Sequence, residues 1–133
     1  MRSRSFAVVA VLAAVGASVT FVLDANAAVP APPAGMTTVF SDDFTGAAGT
    51  GLNRSNWLYD IGTSYPGGAP NWGTGEVETM TDSTQNVYQD GNGNLVIKPI
   101  RDAAGHWTSG RVETQRTDFA APAGGRVRIE ARL

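Results

Sequence analysis

Short alternating segments, separated by glycine, proline and Asx turns, constrain this chain more than any other feature. Residues 126–133 alternate without a break, with Arg126, Arg128, Glu130 and Arg132 interleaved with Val127, Ile129, Ala131 and Leu133. A period of two puts one set on each face of a strand, so a half-buried strand is predicted there. Asp90-Gly91-Asn92-Gly93 is a double turn signal between residues 86–89 and 94–98, which predicts a hairpin. Pro99 places the end of its second strand at an edge or terminus. Further strands are predicted at 37–41, at 57–61 (Trp57, Tyr59 and Ile61 alternating with Leu58 and Asp60), and at 76–80. A long strand over 107–117 is interrupted at Ser109-Gly110. Residues 46–51, 63–75 and 120–125 read as loops and turns. Beyond residue 27 no segment has capped helical periodicity, and short strands joined by turns point to an antiparallel sandwich or jelly roll.

Ahead of this lies a different kind of sequence. Arg2 and Arg4 precede an apolar run from Phe6 to Leu23, and Ala25 and Ala27 form a small-x-small cleavage pattern. Residues 1–27 are therefore expected to be a secretory signal peptide. The rival is an uncleaved membrane anchor. The run of 18 residues is at the short end for spanning, and Gly16, Ser18 and Thr20 interrupt it. Residues 28–36 form a proline-rich leader, which leaves 37–133 for the folded domain. Loss of Arg2, Arg4 and Asp24 reduces 10 basic and 12 acidic residues to 8 and 11, a charge of −3. No basic stripe is present to neutralise phosphates, which argues against a nucleic-acid partner. With no cysteine, an exported domain must be held by its core alone. The 133 residues less a 27-residue leader leave 106, whereas sandwiches run to roughly 200–250 residues as one domain, so the chain is expected to be one part of such a domain.

Candidate chemistry gathers on residues 71–82, where Asn71-Trp72-Gly73-Thr74-Gly75 leads into Glu76-Val77-Glu78. An indole in a Pro/Gly loop offers a flat face for the apolar side of a pyranose, while acids and amides take its hydroxyls. Packing is the rival role for Trp72; Trp57 and Trp107, lying in strand patterns, are expected in the core. Glu76 and Glu78 would share a strand face with Cα atoms about 6.5–7 Å apart. A retaining glycosidase needs carboxyls about 5–5.5 Å apart and an inverting one about 6.5–9.5 Å, so spacing decides nothing, and a solvated pair fits as well. Arg111, Glu113 and Gln115 form a hydrogen-bonding strand face that suits either a sugar groove or an ordinary wet sheet. His106, the one histidine, has no nucleophile pattern beside it. Asn53-Arg54-Ser55 fits an N-glycosylation acceptor, a triplet that chance produces often. Asp90-x-Asn92-x-Asn94 opens like a calcium loop, but Leu95 stands where glycine is required and Arg101 where the final acid belongs, which excludes a helix–loop–helix calcium site.

Three segments together resemble secreted bacterial β-glucanases of glycoside hydrolase family 16, in its laminarinase-like branch. They are Phe40-Ser41-Asp42-Asp43-Phe44 with Trp57 following; Asn71 to Glu78 through Asn94-Leu95-Val96-Ile97; and Thr108 to Thr114 with residues 125–132. Their order matches that family's N-terminal half over about residues 38–133. The resemblance implies an all-β, concanavalin A-like β-jelly roll sandwich, present here as its N-terminal part, with a cleft on its concave sheet. It further implies retaining hydrolysis of β-1,3- or mixed β-1,3/1,4-glucan by two glutamates from a Glu-x-Asp-x-x-Glu strand motif. No such motif occurs in this sequence, so no catalytic residue is assigned, and the acid pair is expected beyond Leu133. Arg111 resembles the glycone-subsite arginine, and Asn71 and Trp72 fall on the loop bordering the cleft. Asp43 and Gly93 resemble backbone-oxygen positions of a structural calcium site that would be incomplete here; the chemistry itself requires no cofactor. The implied partner is an extracellular β-glucan, met by a secreted protein that is free of the membrane after cleavage and monomeric at full length. The rival is a non-catalytic, lectin-like β-sandwich that binds carbohydrate.

Overall fold

The structure, a computed structural model, describes residues 29–133. The signal peptide expected over residues 1–27, with its cleavage site, lies outside the described residues. Within them, regular structure runs from Trp57 to Thr114 as seven short strands: β1 (Trp57–Tyr59), β2 (Glu78–Met80), β3 (Val87–Gln89), β4 (Leu95–Ile97), β5 (Ile100–Arg101), β6 (Trp107–Ser109) and β7 (Val112–Thr114). A tight turn at Pro70–Gly73, left-handed at Asn71 and Trp72, interrupts the loop between β1 and β2.

The strands pair as β1–β7, β2–β6–β5 and β3–β4. The predicted hairpin is β3–β4, antiparallel, with Val87 opposite Ile97 and Gln89 opposite Leu95. Its turn is organised by Asp90, whose carboxylate accepts the backbone N–H groups of Asn92 (2.8 Å) and Asn94 (3.1 Å) and the Asn94 amide (2.8 Å). These donors, the Asn94 side chain first, hold the Asp90 carboxyl below its ordinary value. Pro99 separates β4 from β5, as its missing N–H requires. The long strand predicted over 107–117 is two strands, β6 and β7. Gly110 between them lies so close to Val87 that a Cβ there would collide with Val87 Cγ2.

Val87 is fully buried, and Leu52 and Met80 are nearly so. Burial of such side chains contributes about 1.5–3 kcal/mol each. The most deeply buried polar side chain, Asn86, is fully engaged. Buried Asn86 accepts from the Thr81 hydroxyl (2.7 Å) and donates to the Lys98 carbonyl (2.9 Å) and to Thr108 Oγ1 (3.2 Å). One amide thereby ties the β3 approach to the chain after β4 and to β6.

Four expectations are corrected. Residues 37–41 and 126–133 do not form strands, because neither finds a ladder partner among the described residues and an extended segment alone leaves its N–H and C=O groups unpaired. Side chains hold 37–44 instead. The Asp42 carboxylate accepts from Trp57 Nε1 (2.7 Å) and the Phe44 N–H (3.0 Å), and Phe40 meets Trp57 and Phe119 edge-on at 5.6 Å each. The alternating row of 126–133 stands open, with Ile129 82% exposed. Together with 29–44 and Gly93–Leu95 it walls a trough of about 1100 Å³. The third correction is in 57–61, where burial inverts after β1: Asp60 is buried and Ile61 exposed. The fourth is Trp107, which is 38% exposed rather than in the core.

Candidate functional site

β1 and β7 run antiparallel with Leu58 opposite Glu113, and the Asp60 N–H donates to the Arg111 carbonyl at 3.0 Å. That register puts Leu58, Asp60, Arg111 and Glu113 on one face and Trp57, Tyr59, Val112 and Thr114 on the other. Asp60 is only 8% exposed. A carboxylate so placed needs charged or hydrogen-bonding partners, and it has two. Arg111 Nε donates to Asp60 Oδ2 at 3.2 Å and the Tyr65 hydroxyl donates to the same oxygen at 3.1 Å.

The loop that follows brings Trp72 over this pair. Asn71 (φ 50°, ψ 41°) and Trp72 (φ 54°, ψ 15°) are both left-handed, a region open to asparagine and costly for tryptophan. The turn is over-determined by hydrogen bonds. The Asn71 carbonyl accepts from the N–H groups of Thr74, Gly75 and Glu76, and the Trp72 N–H donates to the Thr63 carbonyl at 3.0 Å. Gly73 (φ 74°) and Gly75 (φ 79°) supply two further left-handed positions where a side chain would add strain. The Trp72 ring is thereby presented to Arg111, whose guanidinium carbon lies 4.7 Å from its centroid, while Tyr65 meets it at 4.9 Å and 90°.

Glu76 completes the group. Its Oε1 accepts from Arg111 Nη1 (3.4 Å) and from the Thr74 hydroxyl (3.0 Å). Arg111 is held above its ordinary value by the Tyr65 oxygen first, opposed by partial desolvation, and then by Glu76 and Asp60. Tyr65 feels Arg111 as a downward pull. Desolvation and the Asp60 and Glu113 carboxylates outweigh it and leave the phenol above its usual value. Two buried atoms, Trp72 Nε1 and Glu76 Oε2, lack a hydrogen-bond partner among the described residues.

The three residues singled out from sequence, Asn71, Trp72 and Arg111, are thus brought together. Asn71 acts through its backbone, its side chain being exposed. Glu76 lies before β2 and faces Arg111, while Glu78 is on the strand. Asp60 and Tyr65 were missed. The signal for Tyr65 was the same as for Trp72, an aromatic in a Pro/Gly loop; for Asp60 it was an acid inside an otherwise apolar alternation. Asp43 and Gly93 line the same trough, but no group of three or more His, Cys, Asp or Glu able to hold a metal occurs among the described residues. Two positions fall well short of the 6–8 oxygens calcium takes, so the residues present do not by themselves fit the ion.

No family model matches the chain. It is 34% identical to the glucan endo-1,3-beta-glucosidase A1 of Niallia circulans over 123 residues, 83% of this chain and 17% of that enzyme. The crystal structure of an endo-1,3-beta-glucanase from Streptomyces sioyaensis superposes with a TM-score of 0.71 at 67% identity, over 73% of this chain and 35% of that one. The chain is similar to these β-glucanases over part of their length. It carries part of their all-β jelly-roll sandwich, and it spans about a sixth to a third of the β-glucanases it matches.

Proposed function

We propose that this chain is the N-terminal part of a secreted, retaining endo-β-glucanase of glycoside hydrolase family 16, acting on β-1,3- or mixed β-1,3/1,4-glucan. Its role is to supply one wall of the sugar cleft. The observation that carries this reading is the Trp72–Arg111 stack, held by Asp60, Glu76 and Tyr65. Trp72 would take the apolar face of a glucosyl ring and Arg111 would donate to its hydroxyls. Asp60 would keep the guanidinium oriented as the sugar arrives. One carboxylate attacking the anomeric carbon and a second, protonated, donating to the leaving oxygen complete such a reaction. Neither is assigned within these 133 residues. A structural calcium at Asp43 and Gly93 belongs to the same proposal only with its remaining ligands supplied from outside these 133 residues, and it takes no part in the chemistry.

A lectin-like sandwich is the second reading. It is favoured by the engagement of Asp60 and Glu76 with Arg111, which leaves neither free as a nucleophile. These 133 residues alone should release no reducing sugar, so the deciding experiment measures release from laminarin by the full-length protein of which this chain is proposed to be a part, and by its Arg111→Ala variant. Wild type should hydrolyse, and the variant should lose about 10–100-fold in kcat/KM with its fold retained, about 1.4–2.7 kcal/mol of transition-state stabilisation. Unchanged kinetics would remove Arg111 from the cleft. Binding without release by wild type would favour the lectin.

A further inference from the structure

A second indole in the described residues has the same kind of neighbours as the first. Trp107 lies on β6, the middle strand of the sheet β2–β6–β5. The register sets Glu78 of β2 opposite it on one side and Arg101 of β5 opposite it on the other. Residues in register across adjacent strands share a sheet face, so acid, indole and guanidinium form one row across two strand spacings, about 9.6 Å. The Arg101 guanidinium carbon lies 6.0 Å from the Trp107 centroid. Trp107 is 38% exposed, Arg101 is exposed and Glu78 half-buried.

We propose that the row Glu78–Trp107–Arg101 is a second saccharide-contact surface, taking a β-linked glucan outside the Trp72–Arg111 cleft. The inference rests on the β-glucanase reading for its ligand and on the strand register for its place. The chemistry is complementary to a sugar chain in each part. An open ring in the middle accepts the apolar face of a pyranose, Arg101 is donor-only and the Glu78 carboxylate acceptor-only. Hydroxyl groups, which do both, are served on either side of the stack. A protein partner would call for a contiguous apolar patch, whereas this row holds one aromatic between opposite charges. A nucleic acid would meet the Glu78 carboxylate and a chain of net negative charge. Arg101 is also unlocked. Its Nε donates to the Gly105 carbonyl at 3.4 Å, and among the described residues no carboxylate fixes it as Asp60 fixes Arg111. It can therefore move aside or over a ligand at small cost.

The test is affinity electrophoresis of the intact protein in gels containing soluble β-1,3-glucan, with turnover of short β-1,3-gluco-oligosaccharides measured in parallel. Trp107→Ala should weaken retention by the polymer roughly five- to tenfold, while turnover of the short substrates stays at the wild-type value. Retention equal to wild type overturns the proposal. If Trp107→Ala fails to fold, the Glu78→Gln, Arg101→Gln double variant keeps the ring and should still lose retention two- to threefold. Unchanged retention there overturns it equally. A wild-type protein neither retained by glucan nor active on it sinks the β-glucanase reading. Wild-type retention with unaffected variants sinks this second surface alone.

Discussion

Trp72 and Trp107 are each flanked by an arginine and a glutamate, yet the two groups are built differently. Arg111 is stacked at 4.7 Å and held by two carboxylates, one of them buried, whereas Arg101 stands 6.0 Å from its ring with no acid upon it among the described residues. The first group comes from three separated segments drawn together by the β1–β7 pairing and a strained left-handed turn. The second is a single row across a sheet. Equal composition therefore gives a preorganised site in one place and an adaptable surface in the other. The difference lies in whether a buried charge forces the arginine to stay.

The largest effect is expected at Gly110, which joins the strand carrying Trp107 to the segment carrying Arg111. Gly110→Ala would drive a methyl group into fully buried Val87 and should cost about 3 kcal/mol, read as a lowered midpoint in urea unfolding. An unchanged midpoint would mean that the two groups are not held by a common packed seam. Next comes Asp60→Ala. Removing the acid leaves Arg111 and Tyr65 without their shared acceptor and should cost about 2 kcal/mol, part of it relieved by the exposure of Arg111. Glu78→Ala, the matching change in the open row, should stay within about 0.5 kcal/mol. Similar losses at the two positions would erase the distinction between a locked and an open group.

The smallest effect is at Tyr65. Its phenol is raised in the folded protein, because the downward pull of Arg111 is outweighed by desolvation and by the Asp60 and Glu113 carboxylates that an ionised oxygen would face. A raised folded value means that its contribution to stability is complete below the unfolded value of about 10 and is lost as pH climbs through the folded one. The difference in melting temperature between wild type and Tyr65→Phe should therefore shrink as the solution is made more alkaline. A difference that grew with alkali would place the phenol nearer to the guanidinium than to the acids.

Much of this was legible beforehand. The hairpin at Asp90–Gly93, the break at Pro99 and the loop over 63–75 follow from local backbone chemistry, which a chain expresses wherever it sits. Asn71, Trp72 and Arg111 could be picked out, because a loop aromatic and a strand face of hydrogen-bonding groups are visible as residue types. Strand formation at 37–41 and 126–133 could not be judged in the same way. Alternation states which face would be buried and says nothing about whether a partner strand is there to pair with it.

The sequence by itself determined the all-β character, the turns, and the residue types that stand out at Trp72 and Arg111. Only the tertiary structure decided that Asp60 turns inward, that Tyr65 shares it with Arg111, and that Trp107 is left in the open. Those outcomes depend on residues brought together across the β1–β7 and β2–β6–β5 pairings. Whether a given acid is buried or solvated is settled by the groups facing it, and residues as far apart as 60 and 111 face each other only after the chain has folded.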